Sequence, residues 1–254
     1  AKLVQKSGYI KSGKASGYMR YIATREGVEK LAGNGAVTKG QRELIQKLLT
    51  DFPDAVELFE YEDYCKTPTL GTASAFISMA LDANFHEMDS ESGYMQYIAT
   101  RPRVQKRGGH GLFSSATAVD LTSAMSELEA HEGNVWTIIY SLRREDAVRL
   151  EYDNADAWRT LLMENAPTLA KSMKISLDNF HWYAAFHDEG HHPHIHMMVW
   201  SDDPKEGFLT KNGIAAMRSK LTNAIFRDEM QQIYERKDVA YSDLVEAAQN
   251  AMRK

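Results

Sequence analysis

Cysteine, proline, long apolar runs and a basic surplus are all scarce or missing from this sequence, and each absence narrows what it can be. A single cysteine, Cys65, rules out an intramolecular disulfide framework and argues for a reducing compartment. No apolar run approaches the ~20 residues a membrane-spanning helix needs, and no signal peptide opens the chain. The expected setting is therefore cytoplasmic, with no membrane insertion. Hydrophobic and charged fractions of 43% and 26% sit near globular averages, so neither disorder nor a fibrous architecture is indicated. The 254 residues suffice for one good-sized domain, or a domain with a large insertion. A net charge of −5 lacks the basic excess that usually marks nucleic-acid binding.

The distribution of charge says more than its sum. Lys2, Lys6, Lys11, Lys14, Arg20 and Arg25 occur before any carboxylate does, and a second basic cluster runs through Arg101, Arg103, Lys106 and Arg107. Asp51, Asp54, Glu57, Glu60, Glu62 and Asp63 form an acidic block between them, so the molecule is expected to be electrically two-sided.

What the chain does have is histidine in a telling place. Residues 182–200 are two apolar runs of strand character joined by a short polar loop. Alternate residues of a strand share a face, so His194 and His196 project together while Ile195 points the other way. If the loop reverses the chain into an antiparallel hairpin, His187 joins them. Three neutral imidazoles with open coordination positions suit a catalytic divalent ion better than a closed structural site. His191 and His192, in the loop itself, fit equally well as exposed polar residues.

Elsewhere the pattern mixes strands with helices. Residues 3–10 read as a first strand, and Ser16 as the cap of a helix holding Tyr18, Tyr21 and Arg25. Thr38 opens a helix through Leu49, followed by helices over 55–64 and 73–83. This acidic block, residues 31–90, reads as a helical insertion without evident chemistry, in a core formed by 1–30 and 91–254. A loop over 108–113, a helix from Asp120 to about His131 and a strand over 135–141 come next. A helix starts at Asn154 or Asp156 and is interrupted or restarted by Pro167. Thr210 opens a C-terminal helix with Ile214, Met217, Leu221, Ile225 and Met230 as its buried stripe. Adjacent strands with no crossover between them argue for an α+β fold, an antiparallel sheet with helices against a face.

One unit occurs twice. Ser16-Gly-Tyr-Met-Arg-Tyr-Ile-Ala-Thr-Arg25 returns as Ser92-Gly-Tyr-Met-Gln-Tyr-Ile-Ala-Thr-Arg101, one residue differing in ten. Tyr18 and Tyr94 are expected to be amphipathic core residues with their hydroxyls at the rim. Tyr21 and Tyr97 are the candidates for chemistry.

The residues now carry a resemblance. His187-x6-His194-x-His196, with Pro193 before the second histidine, resembles motif III of the HUH endonucleases, and a strand followed by a helix bearing Tyr-Ile resembles their motif I. The duplicated Tyr-Ile-Ala-Thr-Arg, His110-Gly-Leu-Phe113, Glu132-Gly-Asn-Val-Trp136, Ser141-Leu-Arg-Arg-Glu145 and Trp182-Tyr-Ala-Ala-Phe-His-Asp-Glu189 together resemble the MobL-type relaxases of the MOBP class, over nearly the whole chain. The resemblance implies a central antiparallel five-stranded sheet with the histidines at its middle. It implies nicking of one DNA strand at an origin of transfer, a covalent 5′-phosphotyrosyl intermediate, religation, and service to conjugative transfer of a plasmid or integrative element. It also implies Mn2+ or Mg2+ on His187, His194 and His196, and single-stranded origin DNA bound by Lys11, Lys14, Arg20, Arg25, Arg101, Arg103, Lys106 and Arg107. A type IV secretion coupling protein and accessory relaxosome proteins would be partners, and a C-terminal region beyond Lys254 would be usual.

Tyr21 follows the first strand as the motif I tyrosine does, which favours it as nucleophile. Tyr97 stands at matching spacing before the Arg101-to-His110 segment, which also resembles the family's sequence downstream of motif I. With an ordinary pKa of about 10, either needs help to lose its proton, from the metal, from Arg25 or Arg101, or from Asp188 or Glu189. Glu189 matches the family's acidic position, two residues after the first histidine. A replication-initiator or transposase-type HUH nuclease and a non-catalytic metal-binding module are the alternatives.

Overall fold

The computed structural model describes residues 2–9, 34–84, 91–100, 103–106, 108–227, 229 and 231. Five strands, β1 (Val4–Tyr9), β2 (Leu112–Phe113), β3 (Trp136–Ser141), β4 (Phe180–His187) and β5 (His194–Ser201), form one sheet in the order β1-β3-β5-β4-β2. Every pairing is antiparallel, so the sheet is the one the resemblance implied, with the histidine-bearing β5 in its centre. β2 falls inside the segment expected to be a loop. It is two residues long, too short to show a period, and gains its place by pairing Leu112 and Phe113 with Ala185 and Ala184. Gly111 precedes it because a side chain there would run into Val104, whose Cγ2 would lie 2.1 Å from a Cβ.

Among the described residues eight helices surround the sheet: α1 (Lys39–Asp51), α2 (Phe59–Lys66), α3 (Leu70–Ala83), α4 (Glu91–Thr100), α5 (Leu121–Glu129), α6 (Arg144–Arg149), α7 (Ala155–Ser172) and α8 (Lys211–Ile225). Their starts follow local chemistry. Thr38 caps α1 with its hydroxyl on the Gln41 amide at 3.1 Å, and the Gln41 side chain returns the bond to the Thr38 amide at 3.0 Å. Asn154 and Thr210 cap α7 and α8 in the same way through their side-chain oxygens.

Three expectations about helices change. The single helix over 55–64 is instead a 3-10 turn (Pro53–Glu57) and α2, separated by Leu58 in extended conformation with its side chain fully buried. Burying that leucine outweighs continuing the helix. Conversely α7 runs unbroken through Pro167. Pro167 and Met163, whose carbonyl loses its partner, are both exposed, so water can take the missing bond. In α8, Gly213 rather than Ile214 joins Met217, Leu221 and Ile225 on the buried face, and Met230 lies outside the described residues. A Cβ on Gly213 would come within 2.4 Å of the Ser172 carbonyl, which is why α8 can cross the end of α7 so closely.

The sheet has two unlike faces. Ile138, Tyr140, Trp182, Ala184, Phe186, Ile195, Met197 and Val199 pack with Trp158, Leu162 and Leu169 of α7 and Met217 and Leu221 of α8. On the other side, Ala185, Met198 and Trp200 pack with Tyr94, Met95 and Ile98 of α4 and Leu128 of α5, while Ile139 joins the core of α1, α2 and α3.

Candidate active site

The hairpin forms with His187 directly opposite His194 and Ala185 opposite His196. Strand alternation sends Ile195 into the α7–α8 core and both neighbouring histidines to the other face. The three rings are buried, their centroids are 4.6 to 5.2 Å apart, and one ligand nitrogen from each lies within 4.8 Å of the others. They are the only such cluster among the described residues.

Each ring is oriented from outside the cluster. His187 Nε2 donates to the Ile98 carbonyl at 2.9 Å, and His194 Nδ1 donates to the His192 carbonyl at 3.0 Å. His196 Nδ1 lies 3.0 Å from the Tyr94 hydroxyl. A carbonyl can only accept, so in the neutral form of His187 and of His194 the proton sits on the nitrogen facing the carbonyl and the other nitrogen carries the lone pair. Neutral imidazoles oriented this way fit a divalent transition-metal ion well.

Helix α4 supplies two of these contacts, because Tyr94 and Ile98 stand one turn apart on one face. Tyr97 is on the same helix, half-buried, and its hydroxyl donates to Asp82 Oδ1 at 2.6 Å. Asp82 is 2% exposed, near the end of α3.

The loop between β4 and β5 is tied down on both sides. Asp188 donates its amide to the Arg103 carbonyl at 2.9 Å, and the Arg103 guanidinium pairs with the Glu189 carboxylate. Arg144 binds Asp188 Oδ1 at 2.6 Å and the Gly190 carbonyl at 3.0 Å. His191 is exposed, but His192 is buried: it stacks on Phe59 at 5.2 Å and its Nε2 donates to Asp63 at 2.7 Å. Burial lowers the His192 pKa below its ordinary value and so favours the neutral ring. Burial also works to raise the Asp63 carboxyl, but hydrogen bonds from His192 and Arg143 outweigh it and hold the group below the usual carboxylate range. Glu60 goes the other way. Burial first, then the nearby charges of Asp63, Glu189 and Asp82, push its pKa up to about 8, so it is protonated at neutral pH.

The acidic helical block, expected to be without evident chemistry, nonetheless touches the candidate site. Glu60, Asp63 and Asp82, from α2 and α3, stand at the loop and at Tyr97. Tyr94 is a core residue as expected, but its hydroxyl is on a histidine rather than at the rim. Of these only Tyr94 had a sequence signal, its place in the duplicated unit; the contacts of Asp82, Asp63 and Glu60 left none. Among the expected site residues, Tyr21, Lys11, Lys14, Arg20, Arg25, Arg101 and Arg107 lie outside the described residues, and Lys106 is exposed beside Gln105.

The profile of the family described as MobL relaxases matches residues 1–254, the whole chain. The chain belongs to the MobL relaxases. Comparison with curated proteins and with solved structures yields no match. As a relaxase the protein is a DNA-nicking enzyme of conjugative mobilisation, acting on single-stranded DNA at an origin of transfer. Its five-stranded sheet agrees with an HUH-type fold. Among the described residues of the relaxase no helix is long and apolar enough to cross a membrane.

Proposed function

We propose that this relaxase cuts its strand by attack of a tyrosine oxygen, from one of the two Tyr-Ile-Ala-Thr-Arg units, on a scissile phosphate bound beside His187, His194 and His196. The observation that carries the reading is the buried triad of oriented imidazoles, two of them held by the helix that also bears Tyr97, whose hydroxyl is on Asp82. The phosphorus–O3′ bond breaks as the tyrosine bond forms, giving a 5′-phosphotyrosyl chain and a 3′-hydroxyl after protonation. The diester keeps its bond energy, so a 3′-hydroxyl attacking in reverse rejoins the strand. A divalent ion on the three histidines would supply Lewis-acid stabilisation to the non-bridging phosphate oxygens. Of the two ions expected, Mn2+ suits an all-nitrogen donor set better than Mg2+, which prefers oxygen.

Tyr21 is favoured as nucleophile by its position after β1, and Tyr97 is its counterpart. For Tyr97 the proton has an acceptor in Asp82 at 2.6 Å. Glu189, paired with Arg103, steadies the loop that presents the histidines. Lys11, Lys14, Arg20, Arg25, Arg101, Arg103, Lys106 and Arg107 hold DNA phosphates, so binding should weaken steeply with salt. The relaxase works in the cytoplasm with accessory relaxosome proteins and a type IV secretion coupling protein, and residues 31–90 are an insertion in its catalytic core.

The test is incubation with single-stranded oligonucleotides spanning the element's transfer origin. A slower-migrating covalent species should form with Mn2+ and vanish with EDTA, while circular dichroism stays native. Tyr21→Phe should abolish that species and Tyr97→Phe only reduce it; the reverse pattern moves the role to Tyr97. Melting by EDTA with no adduct under any condition would leave a structural metal module instead.

A further inference from the structure

His187 and His194 lean on backbone carbonyls, so their tautomers follow from the fold. His196 does not. Its Nδ1 faces a hydroxyl, which can accept a proton or give one, at 3.0 Å and at an edge-on ring angle of 70°. If Tyr94 donates, the proton of a neutral His196 sits on Nε2 and the ring offers the cluster an N–H. If Tyr94 accepts, Nε2 offers a lone pair.

We infer that Tyr94 is a positioning residue of the metal centre: its hydroxyl accepts the Nδ1–H of His196 and so directs the Nε2 lone pair of that ring toward the other two. This rests on reading the triad as a metal site. Tyr94 is fully buried on α4, packed with Met95, Ile98, Ala185 and Met198, so phenylalanine would fill the same space. The hydroxyl is therefore the part with a task beyond packing. One turn later the same helix gives the Ile98 carbonyl to His187, so α4 orients two of the three rings while carrying Tyr97 between those contacts. How tightly the centre holds its ion is thereby coupled to the seating of that helix.

The experiment is Tyr94→Phe in the full chain, with Mn2+ alone as the probe. By calorimetry its affinity should fall about 10–100-fold, the usual effect of losing an orienting partner behind a metal-bound histidine. The metal-free variant should melt close to the wild type, and saturating Mn2+ should restore nicking. An affinity equal to that of the wild type overturns the inference. His196→Ala, measured in parallel, separates the two readings: it should lose Mn2+ binding, and unchanged binding there would sink the metal site itself. Should Tyr94→Phe fail to fold, long-range 1H–15N correlation on histidine-labelled wild type with Zn2+ decides. Nδ1–H with a metal-bound Nε2 on His196 supports the role of Tyr94, and the opposite tautomer overturns it.

Discussion

The two faces of the β4–β5 hairpin are made from the same sixteen residues, eight per strand, yet they do different work. One face, with Trp182, Ala184, Phe186, Ile195, Met197 and Val199, is a continuous apolar surface against α7 and α8. The other begins with three histidines and grades into Ala185, Met198 and Trp200. Adjacent residues therefore belong to separate systems, apolar packing on one side and a buried imidazole cluster on the other. Such a division lets buried polar groups sit in the centre of a sheet, because their neighbours along the chain anchor the strands independently.

Substitutions at neighbouring positions should break the two systems apart. His194→Ala should lower covalent adduct formation by on the order of 10²–10³ or more, the scale of removing one preorganised electrostatic contact, with a gel shift of the adduct as readout. Ile195→Ala, one residue on, should cost about 2–5 kcal/mol of stability, seen in urea unfolding, while adduct formation per folded molecule persists. If both substitutions cost the same activity per folded molecule, the division is false.

Smaller effects test the polar side. The Glu60 carboxyl has its folded-state pKa raised from 4.5 to about 8, so between those values the folded chain holds a proton the unfolded chain releases. Its contribution is fully present at acid pH and is lost as pH rises through about 8. Glu60→Gln should therefore flatten the decline in melting temperature between pH 5 and pH 8, and identical profiles would show that Glu60 is ionised throughout. Smallest is Arg103→Ala, which should weaken DNA binding evenly across sequences and reduce the salt slope by about one. No change in that slope would confine Arg103 to its pairing with Glu189.

Much of the fold was legible because it follows from local chemistry. Thr38, Asn154 and Thr210 announce helix starts through side chains that bond amides three residues away. Apolar runs at 135–141 and 182–200 announced β3, β4 and β5. The illegible parts obey the opposite rule. Leu58 leaves the helix for the core, Pro167 stays within one because its free carbonyl partner faces water, and β2 exists only as an edge to β4. Of the site, the histidines were readable and their surroundings were not. His192 reads as an exposed loop residue because nothing near it in sequence hints at Phe59 and Asp63, 129 positions from it in the latter case.

By itself the sequence determined that His194 and His196 share a face and that Ile195 does not, since side-chain direction along a strand depends only on the alternation of the backbone; His187 joins them through the pairing of β4 with β5. Tertiary structure alone decided that Tyr94 meets His196 across 102 positions, that Asp82 receives the Tyr97 hydroxyl, and that Asp63 reaches His192. Direction is a local property of the chain. Partners are set by which helices the apolar surfaces bring together, and no spacing of residues along the chain records that choice.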